Sequence, residues 1–252
     1  MTFRRALVRG VPSSYAQATV RGDRLLIDVA VARQQHAAYV AAVRASGVEV
    51  TVLPVKDDLP DSCFVEDQAV VAGAMGLQTR CGHEGRRAEA PSVALALAAW
   101  VPVRPMREGC LDGGDVLHVG RTLFVGRTDR TDATGVRALR DAFSDFDVVE
   151  VPVRDRLHLK SVCTALDDET VFAAEGTFDP SVFAGRAEVV RVPPDQEYGA
   201  NVLALGRRIV VSSGYPKVAE AASARGYEPV LIDMSEFRKG DGALTCLSIL
   251  VP

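Results

Sequence analysis

Five residues recur at a near-constant interval along the 252-residue chain, and four of them are of types that carry acid–base or nucleophilic chemistry. They are Glu66, Asp112, His158, Asn201 and Cys246, separated by 46, 46, 43 and 45 positions. Taken singly, each has an ordinary reading: Glu66-Asp67 is a solvated corner, Asp112 sits in a Gly-Gly turn, His158 lies on a strand, and Cys246 is a small core hydrophobe. Taken together, a thiol, an imidazole and a carboxylate able to orient it make the general Cys–His–acid arrangement, which proteases and thioesterases also use. Asp61, Asp67 and Asp241 add further acids. Such carboxylates suit a planar cation, because a guanidinium offers forked N–H donors to them. The expected attack is by the Cys246 sulfur on a guanidinium carbon, with the positive charge of the substrate helping to hold the thiolate.

The elements that must position these residues repeat with them. Gln68 to Ala72 and Leu77 to Arg80 read as a hairpin turned by Gly73-Ala74-Met75-Gly76, followed by a helix over Ala90 to Trp100 and a strand at Val101-Pro102-Val103. The same order returns after Asp112, with a helix over Asp132 to Phe143 and a strand from Val148. It returns again after His158, with a short helix near Pro180, and after Asn201, with a helix from Pro216 to Arg225. A period of this size marks an array of one supersecondary unit. Four units are complete. The fifth is split, drawing its first strand from the segment at Cys246 and its second strand, helix and third strand from residues 4–53. Pairing the two ends of the chain closes the ring and removes the open sheet edges. One domain over residues 1–252 is expected, with pseudo-fivefold symmetry and a central channel where the five openings meet. Tyr15 to Asp28 has no firm period and reads as a surface loop able to cover that site.

Composition narrows the class. At 48% hydrophobic residues the chain buries a sizeable core, and a formal charge of −4 without a Lys/Arg block favours neither nucleic acid nor an anionic membrane as partner. The expected partner is a small molecule, and the reading leaves room for a homodimer. Charge within Met1 to Arg9 replaces the apolar run of a signal peptide, so the expected location is cytoplasmic. Five widely spaced cysteines without a C-x-x-C pair fit free thiols, and Cys81-Gly82-His83 is a metal-like fragment without nearby partners, so no metal site is expected. His36, Arg107, His118 and Cys163 are read as structural.

Phe64-Val65-Glu66-Asp67, Leu111 to Leu117, Arg127 to Thr131, Leu157 to Ser161 and Asp241 to Cys246 closely resemble the signature segments of dimethylarginine dimethylaminohydrolases, of the pentein superfamily. The resemblance implies a five-bladed α/β propeller and hydrolysis of dimethyl- or monomethylarginine to citrulline and a methylated amine, without metal or organic cofactor. Carried across by motif, Cys246 is the nucleophile, His158 the acid and then the base, and Asp112 its orienting group. Glu66 and Asp67 would grip the guanidinium, Asp61 and the Val20 backbone the α-amino group, and Arg86 and Arg130 the α-carboxylate, with the Gly240 carbonyl near the reacting end. Sibling deiminases and amidinotransferases have an aspartate two places after the histidine, where this chain has Lys160. A carboxylate there would face a dimethylated nitrogen unpaired, at about 1–3 kcal/mol, so Lys160 favours the methylated substrate. Two alternatives differ from this reading: a deiminase of another guanidino compound, and a non-catalytic ring resembling translation initiation factor 6.

Overall fold

The structure, a computed structural model, describes residues 3–252; Met1 and Thr2, the start of the charged N-terminal segment, lie outside the described residues. In chain order the elements are β1 (Arg5–Arg9), α1 (Val29–Ala45) and β2 (Glu49–Leu53), then β3 (Ala69–Ala72), β4 (Met75–Gln78), α2 (Ala90–Leu97) and β5 (Val103–Pro105). Next come β6 (Val116–Val119), β7 (Thr122–Arg127), α3 (Ala133–Ala142) and β8 (Asp147–Pro152). The fourth set is β9 (Cys163–Ala165), β10 (Thr170–Ala174), a 3-10 turn at Pro180–Phe183 and β11 (Glu188–Val192). The chain finishes with β12 (Leu203–Leu205), β13 (Arg208–Ser212), α4 (Pro216–Ser223), β14 (Glu228–Ile232), α5 (Ser235–Lys239) and β15 (Ser248–Val251).

These strands form five three-stranded sheets of one design, in which the middle strand pairs antiparallel with the first and parallel with the third. A parallel third strand needs a crossover, which explains why a helical element always stands between the second and third strands. The split unit is as expected: β15 pairs antiparallel with β1 in the register Leu7↔Ile249, and β1 pairs parallel with β2. The first strands of all five sheets line one axial cavity of about 920 Å³. That shared lining makes the arrangement a ring.

The apolar core is divided by the ring into five patches, one between each neighbouring pair of sheets. Leu123, Val136 and Leu139 meet Val70 and Leu77 in one of them, for example, and Phe124 meets Val171 and Phe183 in the next. Middle strands such as β7, β10 and β13 are therefore largely buried, whereas third strands such as β2, β5 and β14 stay partly exposed. Side-chain caps fix where helices begin: Asp28 accepts from the amides of Ala30 and Val31, and Asp132 from Gly135, each cap contributing about 1 kcal/mol.

Two expected boundaries move. The first hairpin turns tightly at Gly73-Ala74, with Gly73 at φ +58°, so β4 starts at Met75 rather than Leu77. β5 starts at Val103 rather than Val101, because the amides of Trp100 and Val101 both donate to the Leu97 carbonyl and finish α2.

Candidate active site

All five periodic residues stand at one end of the ring, but not on the strands themselves. Glu66 and Cys246 lie within 3-10 turns (Val65–Gln68 and Thr245–Leu247), Asp112 and His158 precede such turns, and Asn201 follows one. The first-strand placement expected from the sequence is thus displaced by one short turn. A turn of this kind ends the inward–outward alternation of a strand, which frees its side chains to point along the ring axis.

His158 Nε2 lies 3.0 Å from Asp112 Oδ2 and 3.8 Å from Asp67 Oδ1, all three residues being buried. Asp112 Oδ1 accepts from the Gly82 amide at 2.8 Å, which fixes the carboxylate that orients the ring. Gly114 leaves room for this contact, since a Cβ there would stand 2.6 Å from His158 Nδ1. Burial by itself would lower the His158 pKa, but Asp67, the bond to Asp112 and nearby Asp115 outweigh it and raise the value to about 9. Burial would raise Asp112, yet its bond to His158 brings it down to about 2. At neutral pH the pair is an imidazolium held by carboxylates.

Cys246, partly exposed, lines the same small cleft as His158. Burial, and then the carboxylates of Glu66 and Asp67, push its thiol upward. Its approach turn is built on Gly240-Asp241-Gly242. Gly240 packs on Tyr15, where a Cβ would come 2.6 Å from the hydroxyl, and Asp241 adopts φ +55°, a left-handed conformation costing roughly 1–2 kcal/mol. The Asp241 carboxylate accepts from the Arg21 amide at 2.6 Å and ties this turn to the Tyr15 to Asp28 loop.

The cleft has a volume of about 340 Å³, and Asp61, Asp67, Arg86, Arg130, His158, Gly240 and Cys246 all line it. Asp61 takes the Thr19 amide at 3.0 Å and the Thr19 hydroxyl at 3.0 Å. Thr19, rather than Val20, is the loop residue in the lining. Arg86 differs from its expected role, because its guanidinium is already committed to Asp67 at 2.6 Å, to both oxygens of Glu89, and to the Phe64 carbonyl at 3.0 Å. Arg130 lines the cleft and makes no ion pair among the described residues.

Behind the cleft, Glu66 is held between Lys160 Nζ at 2.5 Å and the Thr245 hydroxyl at 2.8 Å. This layer faces the axial cavity, while the next residues along, Asp67 and Cys246, face the cleft. Burial raises the Glu66 pKa, and Lys160 works against that rise. In all, Asp61, Glu66, Asp67, Glu89, Asp112 and Asp241 outnumber Arg86, Arg130, His158 and Lys160, so the region favours a cation.

The family described as N,N dimethylarginine dimethylhydrolase, eukaryotic, matches residues 15–247. A dimethylarginine dimethylaminohydrolase of Streptomyces coelicolor is 42% identical, over 99% of this chain and 97% of its own. The chain belongs to the dimethylarginine dimethylaminohydrolase family. Among solved structures, the Pseudomonas aeruginosa dimethylarginine dimethylaminohydrolase, a cysteine-to-serine variant complexed with citrulline, superposes with a TM-score of 0.94 at 28% identity, covering 99% of this chain and 100% of that one. A histidine-to-glycine dimethylarginine dimethylaminohydrolase in adduct with S-methyl-L-thiocitrulline matches equally well, with the same score, identity and coverage. The fold of this dimethylarginine dimethylaminohydrolase family member is therefore the pentein propeller.

Several residues with a part in the site carried no role in the sequence reading. Asp115, fully buried, accepts from the Leu159 amide at 3.0 Å and from the hydroxyls of Thr128 and Thr131, and so anchors the backbone beside His158. It stands in the Gly-Gly-Asp segment, which was a signal of the family but not of this contact. Glu89, 23 positions after Glu66, fixes Arg86 and gave no signal at all. Ligand atoms of Asp67, Asp112 and His158 lie within 4.8 Å of one another, close enough to hold a metal ion. The cation they hold here is the imidazolium, with which a metal would compete.

Outside the site, His36 is buried on α1, and burial lowers its pKa to about 4, in keeping with a packing role. Cys163 is buried in the core, and His118 Nε2 donates to the Gly120 carbonyl at 2.9 Å.

Proposed function

We propose that this chain hydrolyses N-omega,N-omega-dimethyl-L-arginine and the monomethyl compound to L-citrulline and the methylated amine, through a thiouronium adduct on Cys246. The observation that carries the proposal is the cleft in which Cys246 and a protonated His158 meet a surplus of carboxylates. Entry of the cationic guanidinium offsets Glu66 and Asp67, the groups that keep the thiol protonated, so the thiolate forms when substrate is bound. Its sulfur adds to the guanidinium carbon. His158 gives its proton to the departing dimethylamino nitrogen as the C–N bond breaks, leaving a neutral imidazole. That imidazole takes a proton from water, the hydroxide adds to the same carbon, and the C–S bond breaks to return the thiol and citrulline.

Asp112 keeps the ring oriented and charged. Asp67 still has lone pairs for the guanidinium beyond those taken by Arg86 and the Gly114 amide. Asp61 and the backbone at Thr19 and Val20 receive the α-amino group, Arg130 the α-carboxylate, and the Gly240 carbonyl the reacting end. Arg86 acts by holding Asp67. Lys160 satisfies Glu66 internally, so no unpaired carboxylate faces the methyl groups. Every acid, base and nucleophile in this scheme is a side chain, and it calls for no metal or cofactor. The proposal extends to one catalytic domain over residues 1–252, a small-molecule partner and a cytoplasmic location; no helix among the described residues is long and apolar enough to cross a membrane.

Three measurements test it. His158→Ala incubated with dimethylarginine should show by intact mass either an adduct on Cys246 or no reaction, with turnover down by about 10²–10⁴-fold. Cys246→Ala should show neither adduct nor citrulline while keeping its fold, and an active Cys246→Ala enzyme ends the proposal. Faster citrulline release from arginine than from dimethylarginine would move the substrate to the deiminase class.

A further inference from the structure

Asn201 is the one periodic position to which the mechanism gives no task. It is 1% exposed, and its side chain joins the two halves of the site. Nδ2 donates to the Lys160 carbonyl at 2.7 Å and to the Thr245 hydroxyl at 3.0 Å, and Oδ1 accepts from the Thr245 amide at 3.1 Å. The amide can sit only one way round, because a carbonyl must meet its N–H and a backbone N–H must meet its oxygen. This has a consequence one bond away. A hydroxyl has a single proton, so the Thr245 Oγ1 that accepts from Asn201 must donate its own, and it does so to Glu66 Oε2 at 2.8 Å.

We propose that Asn201 is a positioning residue for the guanidinium site. Through Thr245 it directs a proton onto Glu66 and sets the backbone immediately before Cys246; through the Lys160 carbonyl it holds the turn whose ammonium takes the other Glu66 oxygen. One buried amide thereby fixes the spacing between the Glu66–Lys160 pair and the nucleophile. Thr245 is its intermediary: neither residue acts on Glu66 alone. The inference rests on the proposed function, with Cys246 as the nucleophile and Glu66 as the buried anion behind the cleft whose charge acts on it.

Asn201→Ala, Thr245→Val, the double variant and Thr245→Ser, all in the full chain, test it. Rates are expressed per reactive Cys246, titrated by iodoacetamide and counted by peptide mass, so that misfolded protein does not enter the figures. Asn201→Ala and Thr245→Val should each raise KM for dimethylarginine by about 10-fold, the loss of one charge-linked hydrogen-bond chain. The double variant should be no worse than the poorer single one, because both cut the same chain. Thr245→Ser, which retains the hydroxyl, should stay within about threefold of wild type. Additive losses, or a KM unchanged in Asn201→Ala, would overturn the inference and leave Asn201 as a packing residue. Wild-type protein forming no adduct on Cys246 would instead remove the underlying mechanism, and this inference with it.

Discussion

Two cavities meet back to back at the Glu66–Lys160 pair, and they share little else. The axial one, about 920 Å³, is walled by the first strands of the five sheets, with Val70, Val116, Leu203 and Ile249 among its lining. The cleft beyond the pair is about 340 Å³ and is lined by Asp61, Asp67, Arg86, Arg130, His158 and Cys246. The larger hollow follows from geometry alone, since five twisted sheets cannot fill their own axis with strand side chains. The smaller is made by the turns that lead into those strands, where alternation ends and several polar side chains converge. Volume marks the ring; charge marks the chemistry. The buried pair between them keeps the two environments distinct.

The strongest way to break the contrast is to discharge the cleft. Asp112→Asn removes one of the anions that, with Asp67 and Asp115, keep His158 protonated to about pH 9. It should lower kcat by about 10²–10⁴-fold, with the alkaline limb of the pH–rate profile displaced toward lower pH as the imidazolium loses its partner. An unshifted limb would assign that limb to another group.

Next in size is the dividing layer. Lys160→Met leaves Glu66 as a buried carboxylate with only Thr245 as partner, at a cost of about 3–5 kcal/mol in stability. Because burial already raises the Glu66 pKa, losing Lys160 raises it further. The penalty is then largest at alkaline pH, begins to fade as pH falls through that raised value, and is gone below the ordinary carboxylate range, where Glu66 is protonated in both folded and unfolded chains. Urea melts of Lys160→Met at several pH values should show this slope. Lys160→Met/Glu66→Gln should recover most of the loss, and a double variant as unstable as the single one would deny the pairing.

The smallest effect should come from the other side of the layer. Val71→Thr alters the wall of the axial cavity without touching the cleft, and kcat/KM should stay within about 0.5 kcal/mol, roughly twofold. A larger fall would show that the two cavities act as one.

Much of the ring was legible because its period is written in residue types: Gly73, Gly120 and Gly206 at hairpin turns, Pro216 and Asp132 at helix starts, and an apolar strand closing each unit. Even the split unit could be read, since β15 supplies the strand that residues 5–53 lack. The misplaced edges, Met75 and Val103, are set by turn tightness and by how α2 finishes, which small shifts in backbone angle decide. Within the site, residue types announced Cys246, His158 and Asp112, whereas Arg86 read as a free cation and proved to be enclosed by Asp67 and Glu89.

By itself, then, the order of residues determined how many units there are, how they close, and which side chains arrive at the shared end, because hydrophobic period and turn chemistry act over a few neighbouring positions. Only the folded ring decided that the His158 imidazole is charged, that Arg86 serves Asp67 while Arg130 remains open, and that Glu66 faces away from the cleft toward Lys160. Those outcomes depend on distances of 2.5–3.8 Å between groups distant in sequence and on the water excluded around them. Neither quantity exists along the chain until the ring closes.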